Sequence, residues 1–293
     1  MEIVAPTGFV FIAVGERYLR EAAVAATQLR RSNPGARVCL VANQLSGERF
    51  WDDFIQHPDP EFSFRDKLAL RLCPYDRFVY LDTDVHAVDD LSAIFQLLER
   101  FDFAGHQLFE GHDSPIPGVP DAFPEFQGGV LAFRRSPAVE AFFTRWRAHY
   151  DAFRAPDRKD RDAYANVTDQ KSLRLALYES SLRLAVLGPE YDFTPAHVNF
   201  ACASVRILHG RGFDFDRFAR RINVQLGNRI YHPSLDVVLH SQTSLQELGR
   251  LWRWSSLQLL RRFVVACTPL RLRNLLRRSK AVRRLFLGEH PSP

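Results

Sequence analysis

Two uninterrupted apolar runs, Phe9 to Val14 and Val38 to Val41, flank a stretch in which Tyr18, Ala22, Ala25, Ala26 and Leu29 recur at helical spacing. Gly15 ends the first run, and Asn33-Pro34-Gly35 stops the helical pattern. A strand with no polar face must be covered on both sides, and a helix that returns the chain between two such strands leaves them parallel. The pattern therefore predicts a βαβ unit. The architecture that follows is α/β, a mostly parallel sheet with flanking helices on both faces.

The alternation continues downstream. Lys67 to Leu72 predicts a short helix closed by Pro74, and Phe78-Val79-Tyr80-Leu81 predicts a buried strand. Asp89 and Asp90 can cap a helix whose apolar face is Leu91, Ile94, Phe95 and Leu98, and Phe101 to Ala104 reads as a further strand. Residues 106–124 carry Gly111, Pro115, Pro117, Gly118 and Pro120 and predict a long loop of the functional or mobile kind. Phe126 to Phe133 is a strand with Gly128 and Gly129 inside it. Glycine weakens a strand, so its presence there points to close approach by a ligand or another backbone. Val139, Phe142, Phe143, Trp146 and Tyr150 mark a core-facing helix, and the charged run Arg154 to Asp162 reads as a solvated loop.

Of the 293 residues, 46% are hydrophobic, which excludes a disordered or fibrous chain. No apolar stretch approaches the roughly 20 residues that span a bilayer. The N-terminus has neither a basic region nor a small-residue cleavage site, and the cysteines at 39, 73, 202 and 267 show no CxxC spacing. The expectation is a cytoplasmic protein with reduced thiols, its cysteines acting as small buried hydrophobes. The net charge of +5 is uneven: from Leu245 onward there are eleven Lys/Arg and two acidic residues, leaving 28 basic against 32 acidic before it. A basic excess confined to one end is no sign that the main domain binds nucleic acid.

Asp82-Thr83-Asp84 is the sharpest chemical feature. Two carboxylates spaced i, i+2 directly after a buried strand stand where open α/β sheets bind ligands. Such a pair can hold a divalent cation, Mn²⁺ or Mg²⁺, which takes oxygen ligands and keeps positions for substrate phosphates. An isolated DxD also occurs by chance in turns, so its weight rests on context.

That context resembles a known family. The segment FRDKLALRLCPYDRFVYLDTDVHAVDDLSAIF, residues 64–95, resembles the core of the GT-A glycosyltransferases, particularly the family 8-like group that includes glycogenin and bacterial lipopolysaccharide galactosyltransferases. Ala13-Val14-Gly15-Glu16-Arg17-Tyr18 stands where that family has its first nucleotide-binding strand end, with a tyrosine near the base. Phe126-Gln127-Gly128-Gly129-Val130 resembles its F-N-[SA]-G-V strand, with Gln127 for Asn, and Thr168-Asp169-Gln170 resembles its D-Q element. Leu208-His209-Gly210-Arg211-Gly212 resembles its late H-G motif. A lysine that follows that motif in the family is absent here, and Arg211 is expected to take its phosphate-contacting role. The resemblance spans residues 9–213.

The resemblance implies a GT-A fold and transfer of a hexose from a nucleotide diphosphate sugar, expected to be UDP-linked. It implies metal ligation by Asp82, Asp84 and His209. It also implies donor contacts from Ala13, Val14, Gly15, Tyr18, Lys67, Asp82, Thr83, Gln127, Gly128, Gly129, Gly210 and Arg211. Arg65 is a weaker candidate for the leaving diphosphate. Asp169 and Gln170 are expected at the sugar face opposite that diphosphate, as the catalytic pair, and the family's stereochemical outcome is retention. For Asp169 the structural alternative is an N-cap of the helix carrying Leu173 and Leu177. His106, His112 and His197 are secondary candidates for acceptor contact.

The expected division is a GT-A catalytic domain over 1–243 and a basic amphipathic helical tail over 244–293. Leu248, Leu251, Trp252, Leu259 and Phe263, then Leu272, Leu275, Leu276, Leu285 and Phe286, recur among arginines. That composition suits either the anionic inner face of a membrane or packing on the catalytic domain. The partners expected are a nucleotide-sugar donor, a saccharide or lipid-linked acceptor and peripheral membrane contact through the tail, with no nucleic acid. Two rival functions stand beside this one: a sugar-1-phosphate nucleotidyltransferase, and a non-catalytic protein of the same fold that binds a saccharide or a partner.

Overall fold

The computed structural model describes residues 7–45, 47, 49–108, 115–154 and 169–240. The tail, the charged run beyond Arg154, and the loop positions Gly111 and His112 lie outside the described residues. Strand β1 (Thr7–Ala13) is buried along nearly its whole length, and helix α1 (Glu16–Ser32) follows after a two-residue turn. Gly15 heads that helix with φ at 93°, a left-handed conformation that favours glycine. The chain returns as β2 (Val38–Ala42), parallel to β1 with Phe9 opposite Val38, so the expected βαβ unit is present.

The remaining strands in chain order are β3 (Asp53–Gln56), β4 (Arg77–Leu81), β5 (Val85–Ala87), β6 (Phe103–Gln107), β7 (Phe126–Arg134), β8 (Leu184–Leu187), β9 (Asn199–Ala201), β10 (Ile207–His209), β11 (Arg229–His232) and β12 (Val237–His240). The helices are α2 (Ser92–Leu97), α3 (Pro137–Phe153), α4 (Asp169–Tyr178) and α5 (Phe215–Ile222). The helix expected near Lys67 is a 3₁₀ helix over Phe64–Leu72, started by a capping box of Ser63 and Asp66.

Seven strands form the central sheet in the order β3-β2-β1-β4-β7-β6-β8. It is mostly parallel with helices on both faces, as expected, but β7 runs antiparallel to both of its neighbours. The described residues of the β6–β7 connection contain no crossover helix, which a parallel neighbour needs. An apolar run reads the same in either direction, so the sequence pattern alone cannot reveal this reversal.

One face of the sheet packs against α1 and α2 through Leu19, Ala22, Leu29 and Ile94. The other packs against the 3₁₀ helix, α3 and α4, where Phe143 and Trp146 are core residues as predicted. Beyond the sheet edge, β5 pairs with β10, and β9, β11 and β12 form a small separate sheet over Phe193, Phe218 and Tyr231. Cys39 and Cys73 are buried, but Cys202 is exposed, so the reading of all cysteines as buried hydrophobes fails there. Among the described residues, no helix is long and apolar enough to cross a membrane.

Candidate active site

The C-terminal end of β4 opens into a cleft of about 910 Å³. Asp82 is the first residue past the strand, and its N–H donates to the Gly129 carbonyl on β7 at 2.9 Å. This places the paired glycines beside the carboxylates, and the space they leave is used. A Cβ on Gly128 would lie 2.7 Å from Asp169 Oδ2 and 2.8 Å from Lys67 Nζ, and one on Gly129 would lie 2.6 Å from His209 Nδ1. The close approach expected at these glycines is therefore made by other side chains of the site.

Asp84 and His209 meet because β5 and β10 pair, with His209 opposite Val85. The Gly210 N–H donates to the Asp84 carbonyl at 3.0 Å, tying the two segments together. One ligand atom from each of Asp82, Asp84 and His209 lies within 4.8 Å of the other two. His209 Nδ1 contacts Asp192 Oδ1 at 2.7 Å, while Nε2 faces Asp84 Oδ1 at 3.5 Å. Two carboxylates and an imidazole whose far nitrogen is held by a buried acid fit Mn²⁺ or Mg²⁺.

The electrostatics agree with that donor set. Burial works to raise the Asp84 pKa, but His209 and Arg211 outweigh it and hold the carboxyl down at about 2. Burial raises the Asp82 pKa, against the pull of Lys67. The Tyr80 hydroxyl donates to Asp82 from beneath. For His209 burial opposes the charge, yet Asp192, Asp84 and Asp82 together lift its pKa well above the ordinary value.

Lys67 is buried and fully engaged. Its Nζ lies 2.8 Å from Asp169 Oδ2 and 3.5 Å from Asp82 Oδ1, and it donates to the Gly128 carbonyl at 3.0 Å. Burial disfavours its charge, but Asp169 and Asp82 hold its pKa above the usual lysine value. Asp169 opens α4 with its side chain turned to Lys67, and Gln170 beside it donates to Gln127 Oε1 at 3.1 Å. The structure pairs the Asp169 carboxylate with Lys67.

Of the residues singled out in the sequence, Val14, Tyr18, Lys67, Asp82, Thr83, Asp84, Gln127, Gly128, Gly129, Asp169, Gln170, His209 and Arg211 all line this cleft. Three do not. Ala13 is buried in the sheet, the Gly15 N–H donates to Asn43 Oδ1 at 2.8 Å, and Gly210 turns the chain with φ at 132°. Arg65 is paired with Glu61, Asp59 and Asp151 and does not line the cleft. His106 and His197 line a smaller adjoining pocket that shares Gln127 with the main cleft.

Sequence reasoning missed Asp192, Glu21 and the cleft-lining Phe62 and Phe64. Asp192 is a lone acid in a turn, with no pattern around it. Glu21 sits one helical turn after Arg17 and reads as half of a solvated pair. Phe62, exposed and at φ 56°, stands in a segment with no periodicity.

No family model matches the chain, and no curated protein matches it in sequence. Among solved structures it is similar to the galactosyltransferase LgtC in complex with donor and acceptor sugar analogues, at 19% identity and a TM-score of 0.48, over 70% of this chain and 87% of that one. It is also similar to the glycosyltransferase GlyE of Streptococcus pneumoniae, at 18% identity and a TM-score of 0.48, over 85% of this chain and 61% of the other. Mouse xyloside xylosyltransferase 1 is a third, at 14% identity and a TM-score of 0.43, over 70% and 97%.

Proposed function

We propose that this protein is a metal-dependent glycosyltransferase of the GT-A kind. It moves a hexose from a UDP-linked or similar nucleotide diphosphate sugar to a saccharide or lipid-linked saccharide, with retention. The observation that carries this reading is the convergence of Asp82, Asp84 and His209 in the same cleft as Lys67, Asp169 and Gln170. Residues from four separate parts of the chain meet at the open end of a largely parallel sheet, where such folds bind ligands.

Asp82, Asp84 and His209 would hold the cation, which when bound supplies Lewis-acid neutralisation of the leaving diphosphate. The chain's own groups do the rest. Asp192 fixes the His209 ring so that Nε2 faces the acids. Lys67 has its donors taken by Asp169, Asp82 and Gly128, so it orients the Asp169 carboxylate more than it meets the donor. Asp169 and Gln170 line the cleft as the pair that stabilises the positive charge developing at the transferred sugar. Gln127, held by Gln170, stands between this cleft and the adjoining pocket, which suits the acceptor. The nucleotidyltransferase reading is disfavoured by the two-residue turn after β1, whose Gly15 N–H is already given to Asn43 and cannot help cradle a triphosphate.

The same proposal places the catalytic domain in residues 1–243 and gives the basic segment 244–293 the role of peripheral contact with the anionic inner face of a membrane. Co-sedimentation with anionic vesicles tests that part. Full-length protein should pellet and a chain ending at Thr243 should not, whereas equal pelleting overturns it. The function itself is tested by nucleotide release from a panel of UDP-, GDP- and TDP-sugars with Mn²⁺. Release from one donor that disappears with EDTA and in Asp84→Ala is expected. Absence of both turnover and donor binding favours the non-catalytic reading.

A further inference from the structure

Arg211 is bound along two edges. Its Nε and Nη2 donate to Glu21 Oε1 and Oε2 at 3.1 and 2.9 Å, and its Nη1 lies 2.8 Å from Asp84 Oδ2. Glu21 belongs to the second turn of α1, remote in sequence from both partners. It is itself fixed from two more sides, by the Thr83 hydroxyl at 3.0 Å and by Arg17 at 3.1 Å. The Asp84 carboxylate is thereby divided. Oδ2 takes Arg211, while Oδ1 faces His209 Nε2.

Resting on the reading of Asp82, Asp84 and His209 as a cation site, we propose that Glu21 is a positioning residue for that site. By occupying the Nε–Nη2 edge of Arg211, it turns Nη1 toward Asp84 as the single nitrogen in contact with Oδ2, so that Oδ1 stays open to the metal. The chemistry behind this is the fork geometry of arginine, which seeks to bind a carboxylate through two parallel N–H groups. Glu21 satisfies that preference away from the metal ligand. Without it, the guanidinium is free to turn edge-on to Asp84 and take both oxygens, closing a ligand position. Thr83, the middle residue of Asp82-Thr83-Asp84, then has a role of its own: its hydroxyl holds Glu21 in register with the two acids beside it.

Gly210 and Gly212, on either side of Arg211, both have positive φ, at 132° and 80°. The backbone there is shaped by glycine, so the side-chain pair to Glu21 is what orients the arginine. Glu21 also carries the full charge this role needs, since the Arg211 hydrogen bonds hold its carboxyl below the usual range against the opposing effect of burial.

The test is a double-mutant cycle on the full chain, with Mn²⁺ alone as the probe and binding read by the loss of the free-ion electron paramagnetic resonance signal. Glu21→Ala should weaken Mn²⁺ binding about tenfold when Arg211 is present, and by about twofold or less in an Arg211→Ala background. Glu21→Asp should recover part of the loss. Equal weakening in both backgrounds would mean that Glu21 contributes only a general negative charge, and it would overturn the inference. So would an unchanged affinity in Glu21→Ala with arginine in place. If the unsubstituted protein binds no Mn²⁺, the cation-site reading itself fails and this inference goes with it. If it binds Mn²⁺ and only the coupling is missing, the reading stands and the role of Glu21 does not. Unchanged thermal unfolding of the metal-free variants separates either result from misfolding.

Discussion

Gly129 lies against the His209 imidazole so closely that a Cβ there would be 2.6 Å from Nδ1, well inside van der Waals contact. His209 is held on its other sides by Asp192 and by the β5–β10 pairing, so it can yield only by leaving the acids. Gly129→Ala should therefore abolish Mn²⁺ binding by displacing a ligand that is itself unaltered. Calorimetric titration with Mn²⁺ checks this, and an affinity within about twofold of the parent would show that the ring has room to move.

Lys67 is a buried cation shared by Asp169 and Asp82. Removing one partner of a buried charge cluster leaves the others uncompensated, at a cost of about 3–5 kcal/mol. Lys67→Met should thus lower unfolding stability by about that amount in chemical denaturation. A loss below about 1 kcal/mol would place the pair among weakly coupled surface ions.

Asp192 touches His209 and no donor-facing surface that the main cleft exposes. As the group that fixes the imidazole from behind, it should matter to the metal as much as a ligand does. Asp192→Asn is expected to weaken Mn²⁺ about 10–100-fold, the range typical of outer-shell partners. No change in affinity would mean that the ring is oriented by its backbone alone.

The raised pKa of His209 gives the pH dependence its sign. In the metal-free protein the proton is held well above the ordinary value of 6.5 by Asp192 and its neighbours, against burial. The charged ring therefore contributes stability that is complete below 6.5 and fades as pH rises through the raised value. A cation must displace that proton, so Mn²⁺ affinity should climb by up to tenfold per pH unit as long as pH is below the raised value and level off once the ring is neutral. Titrations across that interval check it, and a flat profile would contradict the assignment of His209.

Much of this site was legible in the sequence, for a physical reason. Asp82 and Asp84 follow a strand whose apolar run is continuous, Gly128 and Gly129 interrupt a strand that should not tolerate them, and both signals are local. The βαβ unit was equally local, because one helix and two strands carry their own periodicity. The reversal of β7, the small sheet around β11 and the β5–β10 pairing were not, since register between distant segments leaves no trace in spacing. The same limit hid Asp192 and Glu21. Each is an ordinary acid whose importance comes only from the side chain the fold sets beside it. Lys67 was found, but its ion pair with Asp169 was not.

Asp82, Asp84 and His209 are proposed to form a cation site that binds the diphosphate of a nucleotide sugar. The most direct measurement is calorimetric titration of UDP into the full-length protein with Mn²⁺, with EDTA, and with Mn²⁺ in Asp84→Asn. Binding is expected in the first case and its loss in the other two, the substitution keeping the shape of the side chain and removing only its charge. UDP binding that is indifferent to both EDTA and Asp84→Asn would contradict it.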